Sequence, residues 1–391
     1  MLIPKPLKKG DKVAVISLSS GILGEPYCAH TVETGLSSLR RFGLDPVFTE
    51  NALKGTEYIL ANPQARAADL KAAFLDDSIK AVITAIGGVE TFRTFPYLME
   101  DEEFKEAVRS HPKLFLGFSD TTHNHFMFHR LGLQTYYGQA FMCDIAELSG
   151  EMLPYSEAQF ESLFAPYHGR RITPADTWYS ERTDFSPAAL GTKPLSHKET
   201  RGYELLQGSP VFEGKLLGGC IDSMGEMLLS DALEQLGDLI APACELVAGL
   251  ADDFRRQSEI IRRYEIFPRA DEWKGKIFFA ETSEEAPPPE VLRRYLETFK
   301  AEGIFANVSG IIVGKPIDEK YYEEYKDIWR EAVNDPELPI LYNVNFGHAT
   351  PRAILPYGAA ARADANKQEI VLRASEKAHP FNPKKPQLPI E

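Results

Sequence analysis

Ser119 stands where a strand-like run, Leu114-Phe115-Leu116-Gly117-Phe118, breaks into Ser119-Asp120-Thr121-Thr122 and then into an apolar helical stretch over 126–131. A serine on such a junction projects its hydroxyl from the carboxyl edge of a sheet, and the helix N-terminus behind it offers backbone N–H groups to a developing oxyanion. The same residues also describe a helix cap, and Thr121 occupies the place of the second glycine in a G-x-S-x-G elbow. Gly87-Gly88 closes the preceding strand-like run, where ligands gather in open parallel sheets. Glycines there allow close backbone approach. Either the Gly88 N–H pairs with the Asp120 N–H as oxyanion donors, or the two glycines make a plain turn.

A serine nucleophile needs a base, and the base needs an orienting carboxylate. Nine histidines compete. His125 and His129 lie four apart on one helical face, a spacing that suits a metal; the glutamate of an HEXXH motif is missing, because Phe126 takes its place. His348 follows a strand-like run within Asn345-Phe346-Gly347-His348-Ala349-Thr350-Pro351, a rigid setting for a general base. Glu281 closes the run over 276–280 and is either the orienting carboxylate or a charge at a helix N-terminus, a role for which Glu284 and Glu285 are better placed.

The elements that must hold these groups alternate. Strand-like runs over 12–18, 45–48, 81–85 and 114–118 are separated by helical spacing over 32–42 and 65–75. That order predicts a parallel, Rossmann-like sheet with helices on both faces. Residues 149–204 lose periodicity and read as a long connection. Regular structure returns at Leu216-Leu217-Gly218-Gly219, with runs over 277–280, 310–313 and 340–344 and a helix over 290–301, which predicts a second, more mixed α/β domain. The expected division is 1–148, 149–204 and 205–391, with the site in the cleft between the halves. The tail from Lys377 reads as surface chain.

At 391 residues the chain exceeds the usual size of one core. Hydrophobic residues at 43% and charged residues at 26% match globular averages, so disorder is not expected. A formal charge of −14, from 57 acidic and 43 basic residues without a basic cluster, argues against nucleic acid as a partner. Cys28, Cys143, Cys220 and Cys244 form no CxxC pair, so neither a disulfide framework nor a thiolate zinc site is expected. No run approaches the apolar length of a membrane span, and the start lacks a signal-peptide pattern. A cytoplasmic enzyme without a membrane partner is the expectation.

Taken in order, 7–15, the 66–74 helix, Gly87-Gly88, Gly117-Phe118-Ser119-Asp120, Tyr136-Tyr137-Gly138, Gly218-Gly219, Glu281 with Glu285-Ala286-Pro287, and Gly347-His348 with Pro356-Tyr357-Gly358 resemble the S66 family of serine peptidases. That family includes the LD-carboxypeptidases and the microcin C immunity proteins, and the likeness covers most of the chain. The resemblance implies a Ser119, His348, Glu281 triad shared between two domains, no cofactor, no metal, and a homodimer. Three positions depart from the family: Cys220 stands where Asn is frequent, Thr282 where Asp is frequent, and Ile86 where Arg often precedes the paired glycines. Substrate contacts from Gly87, Gly219 and Cys220 are therefore less firmly implied than the triad. The segment around Trp178-Tyr179-Ser180-Glu181-Arg182 is similar to the immunity branch, in which a loop aromatic stacks on the substrate. Trp178 fits that role, or it anchors the loop. The implied substrate is an aminoacyl-nucleotide analogue; the alternatives are a murein tetrapeptide losing its terminal D-amino acid, and a peptide- or nucleotide-binding protein that does not cut.

Overall fold

In a computed structural model the chain is described over residues 1–228 and 255–373. The proposed surface tail and Cys244 lie outside the described residues. Five strands of the first half, β1 (Lys12–Ile16), β2 (Asp45–Phe48), β3 (Ile79–Thr84), β4 (Leu114–Gly117) and β5 (Tyr136–Tyr137), form a parallel sheet. Its alternate residues enter two different apolar clusters. Val13, Val15, Ala81, Ile83, Leu114 and Leu116 pack with Leu39 and Phe160 on one face, while Ala14, Ile16, Val82 and Phe115 pack with Leu70, Phe74 and Phe104 on the other. Burial on both faces explains why these strands read as continuous apolar runs rather than alternating ones.

The strand order, β5-β4-β3-β1-β2, reverses direction between β1 and β3. Such a reversal opens a crevice beyond the carboxyl ends of the strands. The turns after β3 and β4, which carry Gly87-Gly88 and Ser119, both emerge on that edge.

Residues 149–204 are more ordered than their weak periodicity suggests. They hold a helix (Pro154–Glu161), β6 (Arg171–Ile172), and a hairpin of β7 (Thr177–Tyr179) with β8 (Ser196–Lys198). These pieces are short, and no single window is long enough to display a period.

The second sheet takes β9 (Glu204–Gln207), β10 (Val211–Cys220), β11 (Lys276–Glu281), β12 (Gly310–Gly314) and β13 (Ile340–Val344), then β15 (Ala360–Asp364) and β16 (Glu369–Arg373), with β6 at one edge. β10 to β13 run parallel, while β6, β9, β15 and β16 pair antiparallel, so the predicted mixed sheet is present. The helix Pro289–Ala301 buries Val291, Leu292, Tyr295, Leu296 and Phe299, the spacing of one apolar stripe.

The halves are joined by more than the chain. β14 (Leu355–Pro356), late in the sequence, pairs antiparallel with β5 in the first sheet. Phe126 of the helix after Ser119 shares one apolar cluster with Leu216, Phe279 and Tyr357 of the second half. Among the described residues, no helix is long and apolar enough to cross a membrane.

Candidate functional site

β4 delivers the chain to Phe118, and one tight turn, Ser119–Thr121, leads into the helix Thr122–Arg130. Ser119 takes φ +63°, a left-handed conformation that costs an L-residue roughly 1–3 kcal/mol and is retained only where the surroundings impose it. Gly87 is part of what imposes it: a β-carbon on Gly87 would lie 2.8 Å from both Cβ and Oγ of Ser119. Only glycine leaves room for this serine, so Gly87 rather than Gly88 is the glycine in close contact. Gly88 is exposed beside Ser19. Asp120 points away from solvent; its carboxylate accepts from the Thr91 N–H (2.9 Å) and contacts His123 Nδ1 (3.0 Å). Burial works against its charge, but the His123 contact holds the carboxyl below its ordinary range.

In the second half of the chain, Glu281 ends β11 and His348 lies in the loop after β13, 67 residues later. Both are buried. Glu281 Oε2 accepts from His348 Nδ1 at 2.8 Å and from the His348 backbone N–H at 3.0 Å, while Oε1 accepts from the Tyr137 hydroxyl at 2.5 Å. Burial and the adjoining carboxylate push the Tyr137 phenol well above its ordinary value, so it remains a donor. The His348 ring meets the Phe118 ring edge-on with centroids 4.9 Å apart, which sets the imidazole beside the residue preceding Ser119.

The remaining ring nitrogen, Nε2, faces Glu284 Oε2 at 2.9 Å. Among the described residues, no hydrogen bond joins it to Ser119. The expectation that Glu284 serves a helix N-terminus is corrected: the helix begins at Pro289 with Glu290 in its first turn, and Glu284 has been drawn to the imidazole instead. Burial lowers the His348 pKa, but Glu281 and Glu284 together outweigh it and lift it to about 10, while the His348 contact takes Glu284 down to about 2. Two carboxylates, one on each ring nitrogen, favour the charged form of His348.

One further group escaped the reading of the sequence. Arg352 is buried; its guanidinium donates to the carbonyls of Gly347 (2.5 Å) and His348 (2.7 Å), pairs with Asp144 (2.9 Å), and lies over the Phe118 ring at 4.7 Å. It thereby ties the His348 loop to the residue before Ser119. Gly347 has φ +86°, and a β-carbon there would overlap the Glu281 carboxylate. Gly347→Ala is therefore expected to lose at least about 1–2 kcal/mol in chemical denaturation, with loss of activity; an unchanged midpoint and rate would show that the close approach has no role. The fixed glycine before His348 was the available signal, whereas nothing in the sequence marks Arg352.

Gly219 packs against the Thr122 side chain, and the Cys220 N–H donates to Thr122 Oγ1 at 3.0 Å, so the end of β10 docks on the helix after Ser119. Trp178 lies in the β7–β8 hairpin, stacked on His197 with centroids 4.0 Å apart and with Lys315 Nζ 4.9 Å from its ring. That hairpin is fastened to the His348 loop by the Tyr179 N–H, which donates to the Thr350 carbonyl at 2.9 Å. His125 is not placed for a metal. Its two nitrogens meet Thr135 Oγ1 (2.7 Å) and the Gly117 carbonyl (3.0 Å), and burial takes its pKa down to about 4.

Residues 13–138 match the LD-carboxypeptidase N-terminal domain, and residues 213–363 match the LD-carboxypeptidase C-terminal domain. A crystal structure of an MccF-like protein from Streptococcus pneumoniae, in complex with AMP, superposes with TM-score 0.83 at 44% identity, covering 93% of this chain and 98% of that one. An MccF-like protein from Bacillus anthracis superposes at 0.75 with 22% identity, covering 96% and 100%, and this supports the fold. The probable murein peptide carboxypeptidase of Bacillus subtilis is 26% identical over 378 residues, 95% of this chain and 94% of that protein.

Proposed function

This chain belongs to the S66 peptidase family of LD-carboxypeptidases, and from that premise we propose that it is a serine hydrolase in which Ser119, His348 and Glu281 cut an amide or related acyl bond. The observation that carries the reading is the Glu281–His348 pair, joined at 2.8 Å and packed through Phe118 against a serine held at φ +63°.

In this mechanism Glu284 first withdraws from Nε2, and His348 gives up its Nε2 proton to solvent while Nδ1–H still donates to Glu281. Neutral His348 then takes the Ser119 proton while Ser119 Oγ attacks the carbonyl. Glu281 keeps the ring oriented and balances the imidazolium that forms. The Gly88 and Asp120 N–H groups hold the oxyanion, each contributing about 3 kcal/mol to the transition state. His348 next protonates the leaving group, and water releases the acyl group by the same path.

Glu284 sets the pH range of this chemistry. A raised histidine pKa means that the neutral base is lost as pH falls below it. Glu284→Gln removes one of the two carboxylates responsible, so the acidic limb of kcat/KM should move down by about one unit or more, with a rate near neutrality about tenfold higher per unit moved. Arg352 and Glu281 remain in place in that variant. A limb that stays put would mean that Glu284 does not bear on the base.

For the substrate we favour an aminoacyl-nucleotide analogue. AMP in the Streptococcus pneumoniae relative and the ordered hairpin with Trp178 beside the His348 loop support this. The Bacillus subtilis relative supports the second reading, removal of a terminal D-amino acid from a murein tetrapeptide. Offering both substrates to the purified protein decides between them. On the first reading Trp178→Ala raises KM for the nucleotide substrate, with a loss of about 1–3 kcal/mol, and leaves any murein activity unaffected. Tight binding of either ligand with no product would instead support a non-cutting binder. We further propose a cytoplasmic homodimer with the boundaries given above, which gel filtration and limited proteolysis test.

A further inference from the structure

The β10–β11 register sets Cys220 directly opposite Glu281, so both side chains leave the sheet at its carboxyl end. There they meet His348. Sγ of Cys220, a carboxylate oxygen of Glu281 and a ring nitrogen of His348 all lie within 4.8 Å of one another, and all three residues are buried. Asp222 Oδ2, which accepts from the Ser283 N–H, stands 3.8 Å from the sulfur, outside that trio but near enough to supply a fourth ligand. A tetrahedral zinc ion takes sulfur at about 2.3 Å and nitrogen or oxygen at about 2.0–2.2 Å, so its ligands stand roughly 3.3–3.7 Å apart. Glu281 Oε2 and His348 Nδ1, now 2.8 Å apart, must part by about 0.5 Å or more to admit the ion, and Cys220 Sγ lies within 4.8 Å, so side-chain rotation brings the three to ligand spacing.

We infer that Cys220, Glu281 and His348, with Asp222, form a binding site for a thiophilic divalent cation such as Zn²⁺, and that its occupation shuts off the Ser119 site. On binding, the thiol and the imidazolium each release a proton to solvent, the sulfur and the ring nitrogen donate their lone pairs to the metal, and no redox change occurs. A metal-bound His348 cannot accept the Ser119 proton. One sulfur, one nitrogen and carboxylate oxygens favour Zn²⁺ or Cd²⁺ over Mg²⁺ and Ca²⁺, which prefer all-oxygen shells. The cysteine is the decisive residue, because an amide or hydroxyl in its place leaves an ordinary triad.

The metal site rests on geometry alone, whereas the shut-off rests on the hydrolase reading, and the two can be separated. Full-length protein freed of metal is titrated with Co²⁺ and with Zn²⁺. The expected result is one Co²⁺ per chain with a thiolate-to-metal absorption band, abolished in Cys220→Ser, and a Zn²⁺ affinity at least about tenfold weaker in that variant. The Cys220 backbone bond to Thr122 survives the exchange; Cys220→Asn is the second variant should the first misfold. Hydrolysis by the native protein should fall with Zn²⁺ and return with chelator, while Mg²⁺ and Ca²⁺ have no effect. Equal Zn²⁺ affinity in the native and variant proteins, or Co²⁺ binding without the thiolate band, overturns the site. A band with undiminished hydrolysis overturns the shut-off, and absence of hydrolysis on every substrate leaves the optical test intact.

Discussion

Ser119→Ala is expected to lower turnover by roughly 10⁶-fold, the scale on which removal of a serine nucleophile is felt when its partners remain. The fold should persist. The serine hydroxyl makes no hydrogen bond among the described residues, and alanine meets the same backbone strain at φ +63° as serine does. The measurement pairs single-turnover kinetics with a melting curve: a native-like melt and a lost rate place the hydroxyl in the chemistry. A variant that still turns over at a tenth of the native rate would remove Ser119 from the mechanism and direct attention to another nucleophile.

Glu281→Gln is the second large effect, a loss of about 10⁴-fold in kcat. The carboxylate accepts three donors, the Tyr137 hydroxyl, the His348 N–H and His348 Nδ1. An amide offers one accepting oxygen and one donating nitrogen, so at least one buried donor is left opposed, at a stability cost of about 1–3 kcal/mol. The pH profile separates the electrostatic part from the structural part. Loss of the Glu281 charge lowers the His348 pKa, so the acidic limb should move to lower pH even as the plateau falls. A lower plateau with an unmoved limb would mean that Glu281 acts on packing alone.

The two variants and Glu284→Gln form a set because all three bear on one imidazole. Glu281 holds Nδ1 and Glu284 holds Nε2, and in the proposed mechanism Ser119 needs Nε2 for itself. On that proposal the first carboxylate assists the reaction and the second competes with it. Opposite rate effects from two glutamates three residues apart are therefore the signature of this site.

Much of this was legible along the chain, because the signals were local. The fully buried runs of β1, β3 and β4 show as apolar segments, and the turn at Ser119 shows as a strand meeting a helix. His348 is marked by the glycine before it. Glu284 was misread because four residues separate it from the helix it was assigned to, and sequence spacing gives no view of an imidazole arriving from another loop. Arg352 was invisible for a similar reason, since its partners Asp144 and Phe118 lie in the other half of the chain.

The sequence by itself determined which segments are strands and helices, that two α/β sheets follow one another, and which residue types could do chemistry. Backbone sterics and hydrophobic period act over a few residues and are written in them directly. Only the tertiary structure decided that Glu281 meets His348, that Cys220 stands opposite Glu281, and that Glu284 holds the other imidazole nitrogen. Those meetings depend on parallel register between β10 and β11 and on the docking of β10 against the helix after Ser119. They are fixed by the packing of the shared core, to which residues from the whole chain contribute.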